Sequence, residues 1–543
     1  MLGLMMESDL LISSILKHAD TNFGDREIVS VTADNPLHRY TYADCCRRSR
    51  QLANALDKLA LEHGDRVATL AWNDYRHLEA YYAIGGAGYV CHTVNPRLFP
   101  EQIVYIINHA EDKWVMLDML LVPLIEQIAD QLKCVEGYIV MTDDAHMPET
   151  SLPNAVSYES FIGDESDEYV WPVFDERSAM GLCYTSGTTG NPKGVLYHHR
   201  SQILHAYAAV SPDVMNLSSM DCVLPVVPLF HVNAWGIPFA ALMMGCKLVF
   251  PGPKMGDGEV LYNLMESEGV TLSLGVPTVW LGLLQYAKDA GRKLNSLDRT
   301  IIGGAAVPEF MIRQFRDEHD VDVIQGWGMT EMSPLGTVST PKAGTENFSP
   351  DEMIKLRAKA GRGIFGVELR IVDDGGNELP WDGEACGALQ VRGPWVCSDY
   401  FKLEGGSDSH TDDGWFETGD VAMIDPDGYM AITDRTKDVI KSGGEWISSI
   451  DVENTAMGHD AVTEAAVIGV PHPKWTERPL LIIIKAEKVE LTRDEMLDWL
   501  NGKIAKWWIP DDVVFVDEIP HTATGKIKKI ELRKQFSDYE LPG

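Results

Sequence analysis

Polar and apolar positions change period several times along the chain, and each change predicts an element. Tyr42–Leu59 repeats its apolar residues at helical spacing and stops before Gly64. Arg66–Ala71 (RVATLA) is a short apolar run of the kind that forms a buried strand. Leu78–Gly86 returns to helical spacing, and Tyr89–Val94, Trp114–Leu117 and Gly137–Met141 predict further strands. Strands alternating with helices imply α/β layers around a mostly parallel sheet. The alternation continues through Cys222–Val227, Cys246–Phe250 and Val270–Gly275, which read as core strands with helices between them.

From about residue 360 the period becomes two. Val367–Asp373, Gly387–Arg392, Val421–Ile424 and Tyr429–Asp434 alternate, and turns such as Asp374–Asn377 and Asp425–Gly428 separate them. A small antiparallel β subdomain over about 360–434 is expected. The pattern changes again from Arg435: a helix, strands at Ala465–Val470 and Leu480–Ala486, a helix at Arg493–Ile504, a strand at Val513–Asp517 and a helix at Lys528–Phe536. The expected organisation is a large layered N-terminal domain over 1–434 and a compact α+β domain over 435–543.

A length of 543 residues agrees with several structural units. Hydrophobic residues at 45% and charged residues at 23% exclude disordered and fibrous classes. Nothing approaches 18 continuous apolar residues, so no membrane span is expected. The start, MLGLMMESDLLISS, lacks the basic n-region of a secretory signal. Nine cysteines without a C-x-x-C pair read as reduced thiols, and a cytoplasmic protein is expected. The net charge of −35 excludes a nucleic-acid polymer or an anionic membrane as general partner. A phosphate ligand must then be held by local donors. The acid is uneven: residues 435–543 carry 15 basic and 19 acidic side chains, leaving −31 on the first 434. The tail is suited to approach phosphates.

The tightest motif is Tyr184-Thr-Ser-Gly-Thr-Thr-Gly190-Asn-Pro-Lys193-Gly194, after the apolar run Ala179–Cys183. Its glycines admit a close backbone approach, and Ser186, Thr188, Thr189 and the loop amides form an anion nest to which Lys193 adds charge. Pro192 stands where a Walker A loop needs its second glycine, so the loop is of another kind. Gly361-Arg-Gly363-Ile-Phe-Gly366 matches G-x-G-x-x-G, but a charged segment precedes it and a strand follows. A dinucleotide site needs a strand before and a helix after, so these glycines are expected to shape turns.

The Tyr184–Gly194 loop resembles the phosphate loop of the acyl-adenylate-forming superfamily of acyl-CoA synthetases, luciferases and adenylation domains. Seven further segments resemble that family in order: Pro228–Trp235, Gly303–Pro308, Gln325–Glu331, Trp415–Asp420, Asp434–Asp438, Lys441–Glu445 and Thr522–Lys526. The resemblance covers nearly the whole chain. It implies ATP, Mg²⁺ and coenzyme A as cofactor and co-substrates, and a carboxylic acid activated through an acyl-adenylate.

The resemblance assigns Thr185, Ser186, Gly187, Thr188, Thr189, Gly190 and Lys193 to the β- and γ-phosphates. It assigns Thr330 to the α-phosphate, and Glu331 with Thr188 to Mg²⁺, a hard cation that prefers oxygen ligands. Gly304, Ala305, Ala306, Gln325, Gly326, Trp327, Gly328 and Met329 fall to the nucleotide. Asp420 fits the ribose hydroxyls as a charged double acceptor, with Ile432 and Arg435 beside it. Lys526 is assigned between carboxylate and α-phosphate, whereas Lys528 and Lys529 read as solvated surface lysines. The 435–543 domain is expected to rotate about Lys437 between half-reactions, bringing in the Lys441, Gly443, Gly444, Glu445 and Trp446 loop for coenzyme A.

His231, Trp235, Gly303 and Pro334 are assigned to the acyl pocket, although a histidine beside aromatics is also an ordinary packed residue. Trp327 stands where long-chain members often carry tyrosine; its larger ring implies a narrow pocket and a short or medium acid. Gly469–Trp475 and the GGEWISS run resemble a bacterial fatty-acyl-CoA ligase branch that includes ligases of 3-methylmercaptopropionate. His521 stands where relatives often have arginine. A homodimer is implied by resemblance. The alternatives are a medium- or long-chain fatty-acyl-CoA ligase, an adenylating enzyme that loads a carrier protein, a non-catalytic nucleotide-binding scaffold, and an oxidoreductase resting on Gly361–Gly366. No carrier module precedes Gly543, which favours free coenzyme A.

Overall fold

The computed structural model describes residues 1–543 apart from Leu2, 186–190, 404–407, 436–437, 439, 443–444, 487–488, 523–525 and Gly543, and apart from the side chains of Lys441, Glu445 and Trp446. The chain forms two compact units. One comprises Met1–Ile301, Gly328–Gly336 and Pro394–Ser407; the other comprises Ile302–Trp327, Thr337–Gly393 and Asp408–Gly543.

The first unit contains a seven-stranded sheet in the order Ala155–Ser157, Gly137–Met141, Trp114–Asp118, Arg66–Leu70, Val90–Thr93, Ala179–Tyr184 and Gly194–His198. Every pairing is parallel except the last, where Tyr184 faces Gly194 across an antiparallel ladder. Gly137–Met141 is buried along its whole length, as strands covered on both faces must be. A second run in this unit pairs Leu272–Gly275, Cys222–Pro225, Lys247–Phe250 and Glu27–Ser30 in parallel, with His38–Thr41 as an antiparallel edge. The Cys222 strand ends two residues before its expected limit. Val226 and Val227 both direct their N–H to Leu274 O, so the ladder stops and the chain turns toward the Pro228 segment.

Caps explain where helices start. Helix Tyr42–Asp57 opens on a capping box between Thr41 and Asp44, and Tyr75–Gly86 opens three residues before its expected start because the Asp74 carboxylate accepts from His77 N.

In the second unit, Glu368–Val372, Cys386–Arg392, Phe416–Ile424 and Met430–Arg435 form an antiparallel sheet in chain order. Gly361 has φ +96 and a Cβ there would lie 2.0 Å from Val338 C, while Gly366 has φ +108. Arg362–Gly363 pairs with residues 337–338 and a strand follows, so these glycines shape turns, as expected.

Residues 440–543 form helix Ser449–Met457, the long hairpin Val462–His472/Thr476–Lys485, helix Arg493–Leu500, strand Asp512–Phe515 and helix Lys529–Gln535. Alternation along the hairpin feeds two cores. Ala465, Val467, Leu481 and Ile483 enter one; Ala466, Ile468, Leu480 and Ile482 enter the other. The 493 helix stops four residues short of the expected Ile504, where Gly502 takes φ +79. A short hairpin, Ile440–Ser442/Glu445–Ile447, was not legible in the pattern. The nine cysteines are free of disulfides, and among the described residues no helix is long and apolar enough to cross a membrane.

Candidate functional site

The first unit carries the phosphate loop. It joins two antiparallel strands, Ala179–Tyr184 and Gly194–His198, whereas a Walker A loop runs from a strand into a helix. Its neck is closed reciprocally: Thr185 N donates to Lys193 O at 2.9 Å, and Lys193 N donates to Thr185 Oγ1 at 3.3 Å. Ser186, Gly187, Thr188, Thr189 and Gly190 lie outside the described residues. The exposed Lys193 side chain places Nζ 4.6 Å from the centre of the Tyr400 ring.

Thr330-Glu331-Met332 forms one 3-10 turn after Gly328, where a Cβ would lie 2.0 Å from Pro334 O. Three groups brace this turn. Tyr197 OH donates to Thr330 O at 2.7 Å, Cys397 N to Glu331 O at 2.7 Å, and Tyr400 OH to Glu331 Oε1 at 2.7 Å. Pro334 follows a cis peptide bond, and Ser333 Oγ donates to Trp395 O. Glu331 is 7% exposed, and among the described residues no cation lies at ion-pair distance from it.

The acyl segment has an unusual backbone. Val232, Asn233, Ala234 and Trp235 take φ of 47°, 52°, 45° and 56°, and Gly236 follows at 81°. Successive left-handed residues are costly without a glycine, so the surroundings must hold them. Asn233, the residue type most at ease there, accepts from Tyr81 OH and donates to Gln202 Oε1, while Val232 N donates to Cys183 Sγ. His231 and Trp235 stand half-buried at this turn. Under Gly236 lies His205, whose Nε2 accepts from Leu335 N. Full burial lowers its pKa to about 4, so the ring is neutral with its proton on Nδ1.

The second unit carries the nucleotide residues other than Gly328 and Met329. Strand Arg299–Gly303 ends in the exposed Gly304 and Ala305, with Ala306 half-buried. Gln325 fixes the neighbouring backbone: Val307 N donates to its Oε1, and its own N donates to Ser339 Oγ. Gly326 and Trp327 stand half-buried in strand Asp322–Gly328, which also holds Gln325. Trp327 Nε1 donates to Asp420 Oδ2 at 2.9 Å, and Arg435 Nε meets Asp420 Oδ1 at 2.8 Å. Asp420 and Arg435 are direct partners across the ladder, and Ile432 pairs with Ala422 two steps away.

The Thr522–Lys526 loop repeats the neck of the phosphate loop: Thr522 N donates to Lys526 O, and Lys526 N donates to Thr522 Oγ1. The Lys526 side chain is exposed. Lys528 pairs with Glu531 at the surface, as a solvated lysine should. Lys529 corrects the same reading. It is buried, with Nζ on Ser449 Oγ, 2.8 Å from Glu453 and 4.0 Å from Asp434. His521 Nε2 is held by Glu464 Oε1 at 2.6 Å. Lys437, Gly443 and Gly444 lie outside the described residues, as do the Lys441, Glu445 and Trp446 side chains; the backbones of Lys441 and Trp446 pair in the short hairpin.

Two clusters thus form from sequence-predicted residues, Lys193 with Glu331 and Trp327 with Asp420 and Arg435. Tyr197, His205, Cys397 and Tyr400 complete the first unit's cluster without any motif to mark them, and Asn233 joins it from inside the Pro228–Trp235 segment.

Residues 16–401 match the AMP-binding enzyme family, and residues 451–526 match the AMP-binding enzyme C-terminal domain. The chain is 53% identical, over 99% of each chain, to the 3-methylmercaptopropionyl-CoA ligase of Ruegeria lacuscaerulensis. It is 51% identical, over 100% of its length and 98% of the relative's, to the medium-chain-fatty-acid–CoA ligase of Ectopseudomonas oleovorans. Its fold is that of the anthranilate CoA ligase AuaEII solved with anthranoyl-AMP, with a TM-score of 0.87, 24% identity and 98% of each chain covered.

Proposed function

The chain belongs to the AMP-binding enzyme family and is an AMP-forming acyl-CoA ligase for short or medium acids, and we propose that 3-methylmercaptopropionate is its preferred acid. The observation that carries the reading is Glu331. A carboxylate 7% exposed, with a phenol and, among the described residues, no cation as side-chain partner, is costly unless a cation is supplied from outside. It stands beside the neck of a glycine-rich loop whose Lys193 shares the same tyrosine ring.

In the first half-reaction a carboxylate oxygen attacks the α-phosphorus of ATP, the bond to the bridging oxygen breaks, and its electron pair leaves with pyrophosphate. Two anions must meet, so the chain's work is neutralisation. Lys193, Thr185 and the 186–190 loop hold the β- and γ-phosphates, and Thr330 the α-phosphate. The oxygen donors Glu331 and Thr188 fit Mg²⁺, which would neutralise phosphate charge when bound. Asp420 receives the ribose hydroxyls while Arg435 and Trp327 keep it aimed, with Ile432 alongside. Lys526 enters between carboxylate and α-phosphate. In the second half-reaction the thiolate of coenzyme A attacks the acyl carbon and AMP leaves. We assign Lys437 as the pivot for residues 435–543 and Lys441–Trp446 as the loop that replaces Lys526. His231, Trp235, Gly303 and Pro334 line the acid, and Trp327 narrows its end. We place the enzyme in the cytoplasm as a homodimer.

Two measurements test this. Lys526→Ala should lose acid-dependent pyrophosphate exchange by at least a hundredfold; exchange near the wild-type rate removes Lys526 from adenylation. A thioester assay over acids of increasing length should peak at 3-methylmercaptopropionate or a similar short acid. A preference for long chains would sink the narrow pocket and favour a relative's medium- or long-chain role.

A further inference from the structure

The segment Trp395–Phe401 carries no residue of the expected machinery, yet it holds several parts of it. Cys397 N donates to the carbonyl of Glu331, and Phe401 N donates to Gly194 O at 2.8 Å, beside Lys193. Trp395 Nε1 donates to Leu335 O at 3.1 Å. Between these anchors sits Tyr400, 8% exposed, with its hydroxyl on the Glu331 carboxylate and its face toward Lys193 Nζ.

One ring therefore serves an anion and a cation that do not meet each other. A direct Lys193–Glu331 ion pair would spend both charges on each other, and nucleotide and metal would have to break it. The phenol avoids this. It gives Glu331 one hydrogen bond of the charge-assisted kind, and among the described residues no hydrogen bond reaches the other carboxylate oxygen. Its π-face attracts the ammonium without neutralising it. The hydroxyl, committed as donor, fixes which way the carboxylate points.

We propose that Tyr400 is a positioning residue for adenylation: its hydroxyl aims Glu331 at the divalent cation that accompanies ATP, and its ring keeps Lys193 apart from that carboxylate and ready for phosphate. This rests on the reading of Glu331 as a cation ligand given above.

The two contacts can be separated. Tyr400→Phe removes the hydroxyl and keeps the ring, while Tyr400→Leu removes both. In full-length enzyme with wild-type thermal unfolding, Tyr400→Phe should raise the Mg²⁺ concentration for half-maximal pyrophosphate exchange about tenfold. It should weaken Mn²⁺ binding to the enzyme with α,β-methylene-ATP, read by electron paramagnetic resonance, by a similar factor. Thioester formation from added acyl-adenylate and coenzyme A should hold its rate. Tyr400→Leu should add a rise in KM for ATP. Unchanged metal dependence in Tyr400→Phe, or equal loss of both half-reactions, overturns the proposal. Glu331→Gln separates the two readings. If it shifts the metal dependence and Tyr400→Phe does not, only Tyr400's role fails; if it leaves the dependence at wild type, the cation reading fails and takes this one with it.

Discussion

Asp420 has both carboxylate oxygens engaged before any ribose arrives, Oδ2 by the Trp327 indole and Oδ1 by the Arg435 guanidinium. Each carboxylate oxygen has a second lone pair, so a ribose diol can be received without breaking either contact. The indole N–H then fixes which lone pairs remain. Trp327→Phe keeps an aromatic ring and removes that donor. It should raise KM for ATP by about tenfold, the scale of one hydrogen bond to a charged acceptor, with kcat for the acid series changed less. An unchanged KM for ATP with a shifted acid-length optimum would return Trp327 to a pocket role alone. The sequence marks Trp327 and Asp420 separately because each sits in a dense motif. It gives no sign that they touch across 93 positions. Tyr400 was invisible for a related reason: a lone tyrosine in Ser-Asp-Tyr-Phe has no periodicity or spacing to distinguish it.

Elements were legible where one force dominated. Gly137–Met141 came out with its limits intact because every residue is apolar and buried. Both strands of the 462–485 hairpin were legible because strict alternates are buried on both faces, but the first runs past the expected Val470 to His472 and the second starts before the expected Leu480, at Thr476. Misjudged ends lie where a local hydrogen bond decides, as at Asp74 or at the Leu274 carbonyl shared by Val226 and Val227. Helix Lys529–Gln535 shows a further limit. Its two leading lysines look alike in sequence, but Lys529 turns inward to Ser449, Glu453 and Asp434, tying two helices to the end of strand Met430–Arg435. Burial raises the pKa of Glu453 and Asp434 even so, and of the forces opposing that shift the nearby Lys529 charge is the largest. Lys529→Met leaves two buried carboxyls without their cation. It should cost about 3–5 kcal/mol at pH 7, measured by denaturant unfolding. The loss should shrink as pH falls, because protonation neutralises the orphaned carboxyls, whose pKa burial already raises. A loss below about 1 kcal/mol, or one independent of pH, would mean that the cluster is solvated after all.

At the scale of the whole molecule, buried titratable groups pull stability in opposite directions with pH. Burial lowers His77 and His205 to about 4 and His199 to about 3. In the unfolded chain these rings take up protons near pH 6.5, so from there down to about 4 the unfolded state binds more protons and stability falls with falling pH. Burial raises Asp74 to about 7 and Asp118 to about 6. Their carboxyls stay protonated in the fold after the unfolded chain has released its protons near 3.8. They therefore favour folding at low pH and weaken it as pH rises toward their folded values. All five belong to the first unit. Between pH 4.5 and 6 these three histidines act against these two aspartates, so each set offsets part of the other's effect on stability. Asp118→Asn keeps an acceptor for Leu120 N and removes one opposing group, so the melting temperature should fall more steeply as pH drops from 6 to 4.5. His205→Gln, which keeps an acceptor for Leu335 N, should flatten the curve. If both variants run parallel to wild type, these buried groups ionise alike in folded and unfolded chains, and the pH response belongs to the acidic surface instead.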